Sequence, residues 1–424
     1  MTPTRTIRAA LVAAALVVCA PLATPADAQQ TAPQMTLERV GPALAHPWGM
    51  EFLTSDTVLV TTRGGTLWKI ALSDGTATHI TGTPDVHARR QGGLLDVAAI
   101  DGHVYLCYSA VLPGGSATAI DRAVIRGDRL VRRRTIFTGN EATRSGHHFG
   151  CRLHVTGTAL WATLGDRGDR DNGQDPTTHA ASIIRLTPDG TPHPGNPHFT
   201  DDGKAGWAPE IFSIGHRNPQ GMAMHPLTGE IWTHEHGPRG GDEINILRPG
   251  PDTSGPDTPG PDTPNADASG PDTPGTDAGA NYGWPAVSHG REYATGRRVS
   301  PHDSRPGFVD PVWVWIPSIA PSGMAFYPDD APGNNGGGEM FPDFHGHLLV
   351  GSLKFRRLYL VEIGDDGLPA SERVILDGGI GDGGIGRIRD VAVGPDGPFA
   401  GAVFLLSDEA QGGLWRLASD QAAR

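Results

Sequence analysis

A short element that begins at a turn and continues into an apolar strand occurs four times along this chain, and it restricts the possible folds more than any other feature. The four copies occupy residues 47–52, 219–224, 321–326 and 388–393, and the first three carry Gly-Met at their centre. A second apolar run bounded by Gly, Pro, Asp or Asn follows each copy, which is typical of short β-strands. Helical periodicity is nearly absent beyond the N-terminal segment. We therefore predict an all-β fold.

Two further units begin near Gly93 and Cys151, so the chain contains six repeats. Repeats of roughly 45–70 residues built from antiparallel strands are typical of a β-propeller, in which blades surround a central channel. The 59 glycines and 37 prolines among 424 residues agree with many tight turns. A pair of β-sandwiches is the alternative, but sandwich strands would not be expected to repeat the Gly-Met element. We predict a single six-bladed propeller over residues 29–424.

The balance of charge limits the possible partners. Lys and Arg number 34 against 47 Asp and Glu, and the net charge is −13. This balance argues against nucleic acid or an anionic membrane surface as a partner. An anionic ligand would have to find a local basic pocket.

The N-terminal segment has the pattern of a secretory signal peptide. Arg5 and Arg8 precede an apolar stretch from Ala9 to Ala20, and the small-residue site Ala26-Asp27-Ala28 follows. We predict a signal peptide over residues 1–28 and a periplasmic or secreted product. No later apolar run approaches the length of a membrane span, so we expect no stable membrane insertion.

Two cysteines remain in the predicted mature chain, Cys107 and Cys151. They could form a disulfide in an oxidising compartment, or both could be buried free thiols.

Residues 249–279 differ in composition from the rest of the chain. This segment cycles through Pro, Asp and Thr, with an aspartate at every fifth position from Asp252 to Asp277. Such a segment is too polar to bury a core, and we predict a disordered, solvated acidic insertion. A calcium-binding repeat is the less favoured interpretation.

Polar residues cluster at the ends of the strands that would line the channel. They are Gln91, Asp96, His147, His148, Arg152, Asp166, Arg217, Asn218, Glu235, His236, Lys354, Arg387 and Arg389. A propeller would bring them together from distant positions. Cations gathered on one axis without nearby carboxylates favour a small polyanionic ligand. Taken singly, an Arg or Lys at a strand end is more often a solvated rim residue, so the prediction depends on the whole set.

Seven strings in this order resemble one known family. They are Gln91-Gly-Gly-Leu-Leu95, His148-Phe-Gly-Cys-Arg152, Gly215-His-Arg-Asn-Pro-Gln-Gly221, Glu235-His-Gly-Pro238, Gly241-Asp-Glu-Ile-Asn245, Asn281-Tyr-Gly-Trp-Pro285 and Gly386-Arg-Ile-Arg-Asp390. Over about residues 36–418 the chain resembles the soluble, exported quinoprotein sugar dehydrogenases of the aldose sugar and glucose/sorbosone dehydrogenase family. These are six-bladed propellers that use pyrroloquinoline quinone (PQQ) and calcium.

The resemblance implies a role for each matching residue. His148 would be the general base, and Arg217 and Asn218 would contact the quinone carbonyl region. The residues that would hold the cofactor and its carboxylates are Gln91, Asp166, Lys354, Arg387 and Arg389. The backbone carbonyls of Gly237 and Pro238 would bind calcium, and Glu243 with the carbonyl of Tyr282 would bind a second calcium ion.

The expected reaction is oxidation of the anomeric hydroxyl of an aldose to a lactone, with hydride passing to PQQ. The electron acceptor that reoxidises the cofactor is not identified by the sequence, and the protein would be a monomer or a homodimer. Two other functions stay open. A calcium-dependent lactonase-type propeller hydrolase would rely on side-chain carboxylate and amide ligands, and a non-catalytic propeller would bind a glycan or a protein.

Overall fold

The structure is a computed structural model, and it describes residues 35–199, 204–250, 276–328, 340–379 and 384–419. The predicted signal peptide lies outside these residues, as does most of the acidic insertion. Within them the strands form six antiparallel sheets of four strands each. The predicted six-bladed β-propeller is therefore confirmed, and the sandwich alternative is wrong.

In each blade the four strands follow one another from the channel outward. Blade 1 consists of β2 (Pro47–Thr54), β3 (Thr57–Thr62), β4 (Thr66–Ala71) and β5 (Ala77–Ile80). Blade 2 consists of β6 (Leu94–Ile100), β7 (His103–Leu112), β8 (Gly115–Arg126) and β9 (Arg129–Thr138). Blade 3 consists of β10 (Leu153–Val155), β11 (Leu160–Thr163), β12 (Ser182–Leu186) and β13 (Ile211–Ile214). Blade 4 consists of β14 (Pro219–Met224), β15 (Ile231–Glu235), β16 (Asp242–Leu247) and β17 (Trp313–Trp315). Blade 5 consists of β18 (Pro321–Phe326), β19 (Leu348–Ser352), β20 (Arg357–Ile363) and β21 (Pro369–Asp377). Blade 6 consists of β22 (Ile388–Val393), β23 (Val403–Ser407), β24 (Gly412–Ser419) and β1 (Met35–Leu44). Short 3₁₀ helices occur at Arg170–Gln174, Pro197–Phe199 and Pro342–Phe344.

Two features close the ring. Every innermost strand contacts the innermost strands of both neighbouring blades, including β22 with β2. The first strand, β1, supplies the outer strand of blade 6 and pairs antiparallel with β24, from Met35 opposite Ser419 to Leu44 opposite Gly412. The two ends of the described chain therefore hold the propeller shut, which limits exposed sheet edges.

The repeated Gly-Met element is explained by the two faces of the innermost strands. Met50, Met222 and Met324 are buried in the hydrophobic clusters between blades. The preceding glycines face the crowded channel: a Cβ at Gly49 would lie 2.3 Å from Oδ1 of Asp96, and one at Gly323 would lie 2.2 Å from Oδ1 of Asp390. Glycine is required there because the charged side chains of other blades fill the space.

Those charged side chains form a buried cluster in the channel. Nη1 of Arg152 lies 3.0 Å from Oδ1 of Asp96 and 2.9 Å from Oδ1 of Asp390. Burial raises the pKa of Asp96 to about 7 and also raises that of Asp390. Burial, together with these two carboxylates, raises the pKa of neighbouring Glu51 to about 8. The expectation that the channel cations lack carboxylate partners is wrong for Arg152.

Cys107 and Cys151 form a disulfide. Cys107 lies on β7 of blade 2, and Cys151 lies just before β10 of blade 3, so the bond links two neighbouring blades.

The two ends of the acidic insertion meet through an antiparallel bridge between Pro249 and Thr276. No helix among the described residues is long and apolar enough to cross a membrane.

Candidate active site

A histidine–aspartate pair joins the segment between blades 2 and 3, which carries His148, to the β11–β12 loop of blade 3, which carries Asp166. Nδ1 of His148 is 2.6 Å from Oδ1 of Asp166. Burial lowers the pKa of His148 below 6.5, and this effect exceeds the opposing effect of Asp166. The imidazole is therefore neutral at pH 7. Nε2 makes no hydrogen bond to any described residue.

Asp166 accepts two further hydrogen bonds. The backbone N–H of Gly168 donates to Oδ1 at 2.7 Å, and the indole Nε1–H of Trp284 donates to Oδ2 at 2.9 Å. Burial acts to raise the pKa of Asp166, but the hydrogen bond from His148 and the charge of Arg217 outweigh it and hold the pKa below the ordinary value. An ionised carboxylate can only accept hydrogen bonds, so the proton of the His148 ring is on Nδ1 and Nε2 carries the lone pair.

The loop that carries His148 is held in an unusual conformation. His148 has φ of +50°, a region that non-glycine residues seldom occupy. Its backbone N–H donates to Oε1 of Gln91 at 2.7 Å. A Cβ at Gly165 would lie 2.4 Å from the carbonyl oxygen of His148, so this loop packs directly on the backbone next to Asp166. His147 is exposed, and it is His148 that bonds to the aspartate.

Arg217 and Asn218 are positioned by Glu235. Oε2 of Glu235 accepts both of their backbone N–H groups, with a distance of 3.3 Å for Asn218. Nη1 of Arg217 donates to the carbonyl oxygens of His236 at 2.8 Å and Gly237 at 3.0 Å. The backbone carbonyl of Arg217 accepts the N–H of Asp166 at 2.8 Å, so this segment joins the histidine–aspartate pair to the turn that begins at Gly237.

A basic cavity of about 790 Å³ adjoins that turn. Lys354 and Arg387 line it, as does Pro238, and no carboxylate lies among its described lining residues. The described lining residues include five Lys or Arg side chains in total and no carboxylate, which suits a polyanionic ligand such as a tricarboxylic quinone.

Arg389 does not line this cavity and is not free of acidic partners. Its Nη2 lies 3.1 Å from Oδ2 of Asp408, and its Nη1 donates to Oε1 of Gln220 at 3.1 Å. Nη2 of Arg387 lies 3.8 Å from the same carboxylate oxygen of Asp408. The expectation that the channel cations lack carboxylate partners is therefore wrong for these two arginines as well. Nε of Arg389 is buried without a partner among the described residues, and a role in holding the cofactor stays a prediction.

The predicted calcium site at Gly237 and Pro238 consists of two backbone carbonyl oxygens. The carbonyl of Gly237 already accepts from Arg217, and calcium prefers six to eight oxygen ligands. The described residues contain no group of three or more His, Cys, Asp or Glu side chains placed to hold a metal ion. A calcium ion bound by the carbonyls of Gly237 and Pro238 would therefore take further oxygen ligands from a bound molecule.

Glu243, predicted for a second calcium ion, lies opposite Glu235 in the β15–β16 pair. Nδ2 of Asn245 donates to Oε1 of each glutamate, at 3.1 Å and 3.4 Å. Burial, and next the charge of Glu235, raise the pKa of Glu243 well above its usual range. Tyr282 is buried and donates its hydroxyl hydrogen bond to the carbonyl of Ile246 at 2.8 Å. The second calcium site stays a prediction.

Four residues of the site did not emerge as candidates from the sequence. Trp284 donates to Asp166, and Arg239, Arg291 and Arg356 line the basic cavity. Trp284 stands within one of the seven strings, and Arg239 follows another directly, so closer attention to those strings could have found both. Arg291 and Arg356 stand in segments without a recognisable pattern.

Comparison with known proteins gives consistent matches. A family model described as glucose/sorbosone dehydrogenase matches residues 44–258 and 275–416. The aldose sugar dehydrogenase YliI of Escherichia coli is 34% identical over 391 residues, which are 88% of this chain and 90% of the relative. The quinoprotein glucose dehydrogenase B of Acinetobacter calcoaceticus is 27% identical over 276 residues, 56% of this chain and 50% of the relative. The crystal structure of the apo-form soluble aldose sugar dehydrogenase of Escherichia coli matches with a TM-score of 0.73 and 32% identity, over 91% of this chain and 100% of that chain.

Proposed function

Because the chain belongs to the glucose/sorbosone dehydrogenase family, we propose that it oxidises the anomeric hydroxyl of aldose sugars to lactones, with PQQ as its cofactor. The relative from Acinetobacter calcoaceticus is a quinoprotein glucose dehydrogenase by name. The observation that carries the proposal is a neutral histidine, oriented by an ionised aspartate and linked through Arg217 to the turn whose Pro238 lines a cavity of cations and uncharged residues.

His148 is the proposed general base. Because Asp166 accepts a hydrogen bond from the Nδ1–H of His148, the lone pair of the ring is on Nε2 and can accept the proton of the sugar hydroxyl. The carboxylate then stabilises the imidazolium that forms. Asp166 itself has three donors already, so we assign it a positioning role and not the cofactor contact expected from the sequence.

The cations have separate roles. Lys354 and Arg387 would hold carboxylates of the cofactor in the basic cavity, and Arg217 would stabilise negative charge near His148. When bound, PQQ supplies an electrophilic carbon that accepts the hydride from the sugar. Gln91 and Asn218 bond to the backbone at His148 and Gly150, so they position the base loop in addition to any contact with the cofactor.

Calcium is part of this proposal through Gly237 and Pro238, with the cofactor as the source of the missing ligands. Export is part of it through the predicted signal peptide. The Cys107–Cys151 disulfide supports an oxidising compartment such as the periplasm.

Reconstitution tests the proposal. Purified apoprotein is titrated with PQQ, with and without calcium, and dye reduction is measured with a panel of aldoses. His148→Ala is expected to lower kcat by at least about a hundredfold, whereas the matched variant of its exposed neighbour, His147→Ala, retains kcat within about threefold of the original. Equal loss in both variants, or no cofactor-dependent turnover with any aldose, contradicts the proposal.

A further inference from the structure

The basic cavity holds more positive charge than the proposed cofactor requires. Its lining includes Arg239, Arg291 and Arg356 in addition to Lys354 and Arg387. Under the proposed function, Lys354 and Arg387 hold carboxylates of PQQ in this cavity. Three guanidinium groups at the same cavity are left without an assigned anion.

These three groups also lack acidic partners in the protein. Within the described part of the chain, none of them forms an ion pair, whereas buried Arg152 and Arg389 are both paired with aspartates. The acid nearest in sequence to Arg291 is Glu292, and its carboxylate is held by Arg170 at 2.9 Å and 3.3 Å. Like charges gathered at one cavity repel each other unless an anion offsets them.

The backbone holds two of the three groups close together at one side of the cavity. Arg239 lies in the turn that Arg217 fixes through the carbonyl of Gly237. Arg291 and Tyr293 lie in a hairpin closed by the backbone bond from Glu292 to Arg297 at 2.8 Å.

The hairpin and the turn touch. A Cβ at Gly290 would lie 2.5 Å from Cδ of Pro238, and one at Gly241 would lie 2.6 Å from the backbone nitrogen of Gly290. Arg239 and Arg291 are therefore presented by two segments in direct contact, at the cavity that Lys354 and Arg387 also line.

The cavity wall also offers apolar surface. Tyr293 and Ile316 are 67% and 69% exposed, and Pro317 lies beside them in the lining. An aromatic ring and aliphatic groups next to charged donors suit a ligand with an apolar ring face and one anionic group.

We infer that the preferred substrate is an aldose with an anionic group, a carboxylate or a phosphate, at the carbon farthest from its anomeric hydroxyl. This inference rests on the proposed function and names its substrate class. The reaction is the same as in the proposed function: the hydride from the C1–H bond of the sugar would pass to the bound quinone, and the proton of the anomeric hydroxyl would pass to Nε2 of His148. The anionic group is unchanged and serves only for binding.

The test compares glucose, glucuronate and glucose 6-phosphate in the PQQ-loaded enzyme at saturating cofactor. We expect kcat/KM for at least one anionic sugar to exceed that for glucose by about tenfold at low salt. The ratio should fall toward one at high salt, because screening weakens partly exposed charge pairs. The carboxylate and phosphate arms show which anion is favoured.

Substitution of the unassigned arginines locates the effect. Arg356→Gln and Arg239→Gln are each expected to lower the ratio of anionic to neutral kcat/KM by about fivefold or more, with partial retention in Arg356→Lys. Arg129→Gln, on the exposed end of β9, is the matched control and keeps the ratio. Oxidation of glucose with no preference for either anion, or a preference that survives both Gln variants, overturns the inference and leaves the proposed function intact. Failure to oxidise every sugar, glucose included, overturns both.

Discussion

Asp166→Asn is the substitution that most directly tests how the site works. The ionised carboxylate accepts from Nδ1 of His148, from the N–H of Gly168 and from the indole of Trp284. An amide of the same shape keeps one acceptor oxygen and places an NH₂ group where the other oxygen was. At the Oδ2 position that group faces the indole N–H and one bond is lost; at the Oδ1 position it faces both the histidine Nδ1–H and the N–H of Gly168 and two bonds are lost. The ring can restore its bond only by moving its proton to Nε2, where the base needs a lone pair.

The size of the loss follows from the step affected. General base catalysis contributes about 10²- to 10⁴-fold, and the wrong tautomer removes it while leaving binding in place. We expect kcat to fall about 10³-fold, which corresponds to about 4 kcal/mol.

The pH profile should move as well. Burial lowers the pKa of His148 and Asp166 raises it, so removing the carboxylate lowers the pKa further. A base is active when deprotonated, so the acid limb of kcat/KM lies below pH 6.5 in the original protein and moves to lower pH in the variant.

Three measurements decide the outcome: kcat at saturating PQQ, the dissociation constant of PQQ, and the acid limb of the pH profile. Asp169→Asn, in the same loop but exposed, is the control and should retain activity. If Asp166 positions the base, PQQ affinity stays within about threefold. A large loss of PQQ affinity with kcat retained at saturation would contradict a positioning role for Asp166. It would instead support the predicted contact between Asp166 and the cofactor.

Three other predictions concern the cofactor, the channel and the disulfide. Lys354→Ala should weaken PQQ binding by about tenfold in a titration of the apoprotein, whereas Lys69→Ala, on an outer part of blade 1, should not. Glu51→Gln should stabilise the fold in alkali: a carboxyl whose pKa rises from 4.5 to about 8 on folding opposes folding increasingly between those values. The gain in unfolding free energy should be up to about 4 kcal/mol larger at about pH 9 than at about pH 5, and an equal gain at both pH values would contradict the assignment. The Cys107→Ala/Cys151→Ala double variant should lose about 4 kcal/mol of stability, as expected for a 44-residue separation, and reductant should have no further effect on it in denaturant titrations.

The repeat pattern of the sequence was enough to predict the blades, because each unit carries its own turns and innermost strand. The pairing that closes the ring was not predicted. β1 and β24 lie at opposite ends of the chain, and nothing in the local pattern of residues 35–44 indicates which strand they join.

The site was predicted in part for the same reason. His148 and Asp166 were both candidates, since His148 precedes the innermost strand of blade 3 and Asp166 follows the next strand, but their bond across 18 residues depends on a loop whose backbone has positive φ at His148. The partners of Arg152 and Arg389 were missed because each carboxylate lies on another strand or segment: Asp390 of blade 6 for Arg152, and Asp408, which follows the neighbouring strand β23, for Arg389. The residues around each arginine in the sequence do not indicate which carboxylate of another segment lies within reach of its guanidinium group.

The buried channel cluster connects blades and positions the segment that carries the proposed base. Buried ion pairs seldom add net stability, because desolvation offsets their attraction, so the Asp96–Arg152–Asp390 cluster is better explained by what it positions. Oδ2 of Asp96 accepts the N–H of Leu153 at 2.7 Å, which ties blade 2 to blade 3, and Oδ2 of Asp390 accepts the N–H of Met50 at 2.9 Å, which ties blade 6 to blade 1. Arg152 follows His148 by four residues on the same segment. The bonds that fix Arg152 on the channel axis therefore also fix the start of β10, and with it the loop from which the proposed base acts.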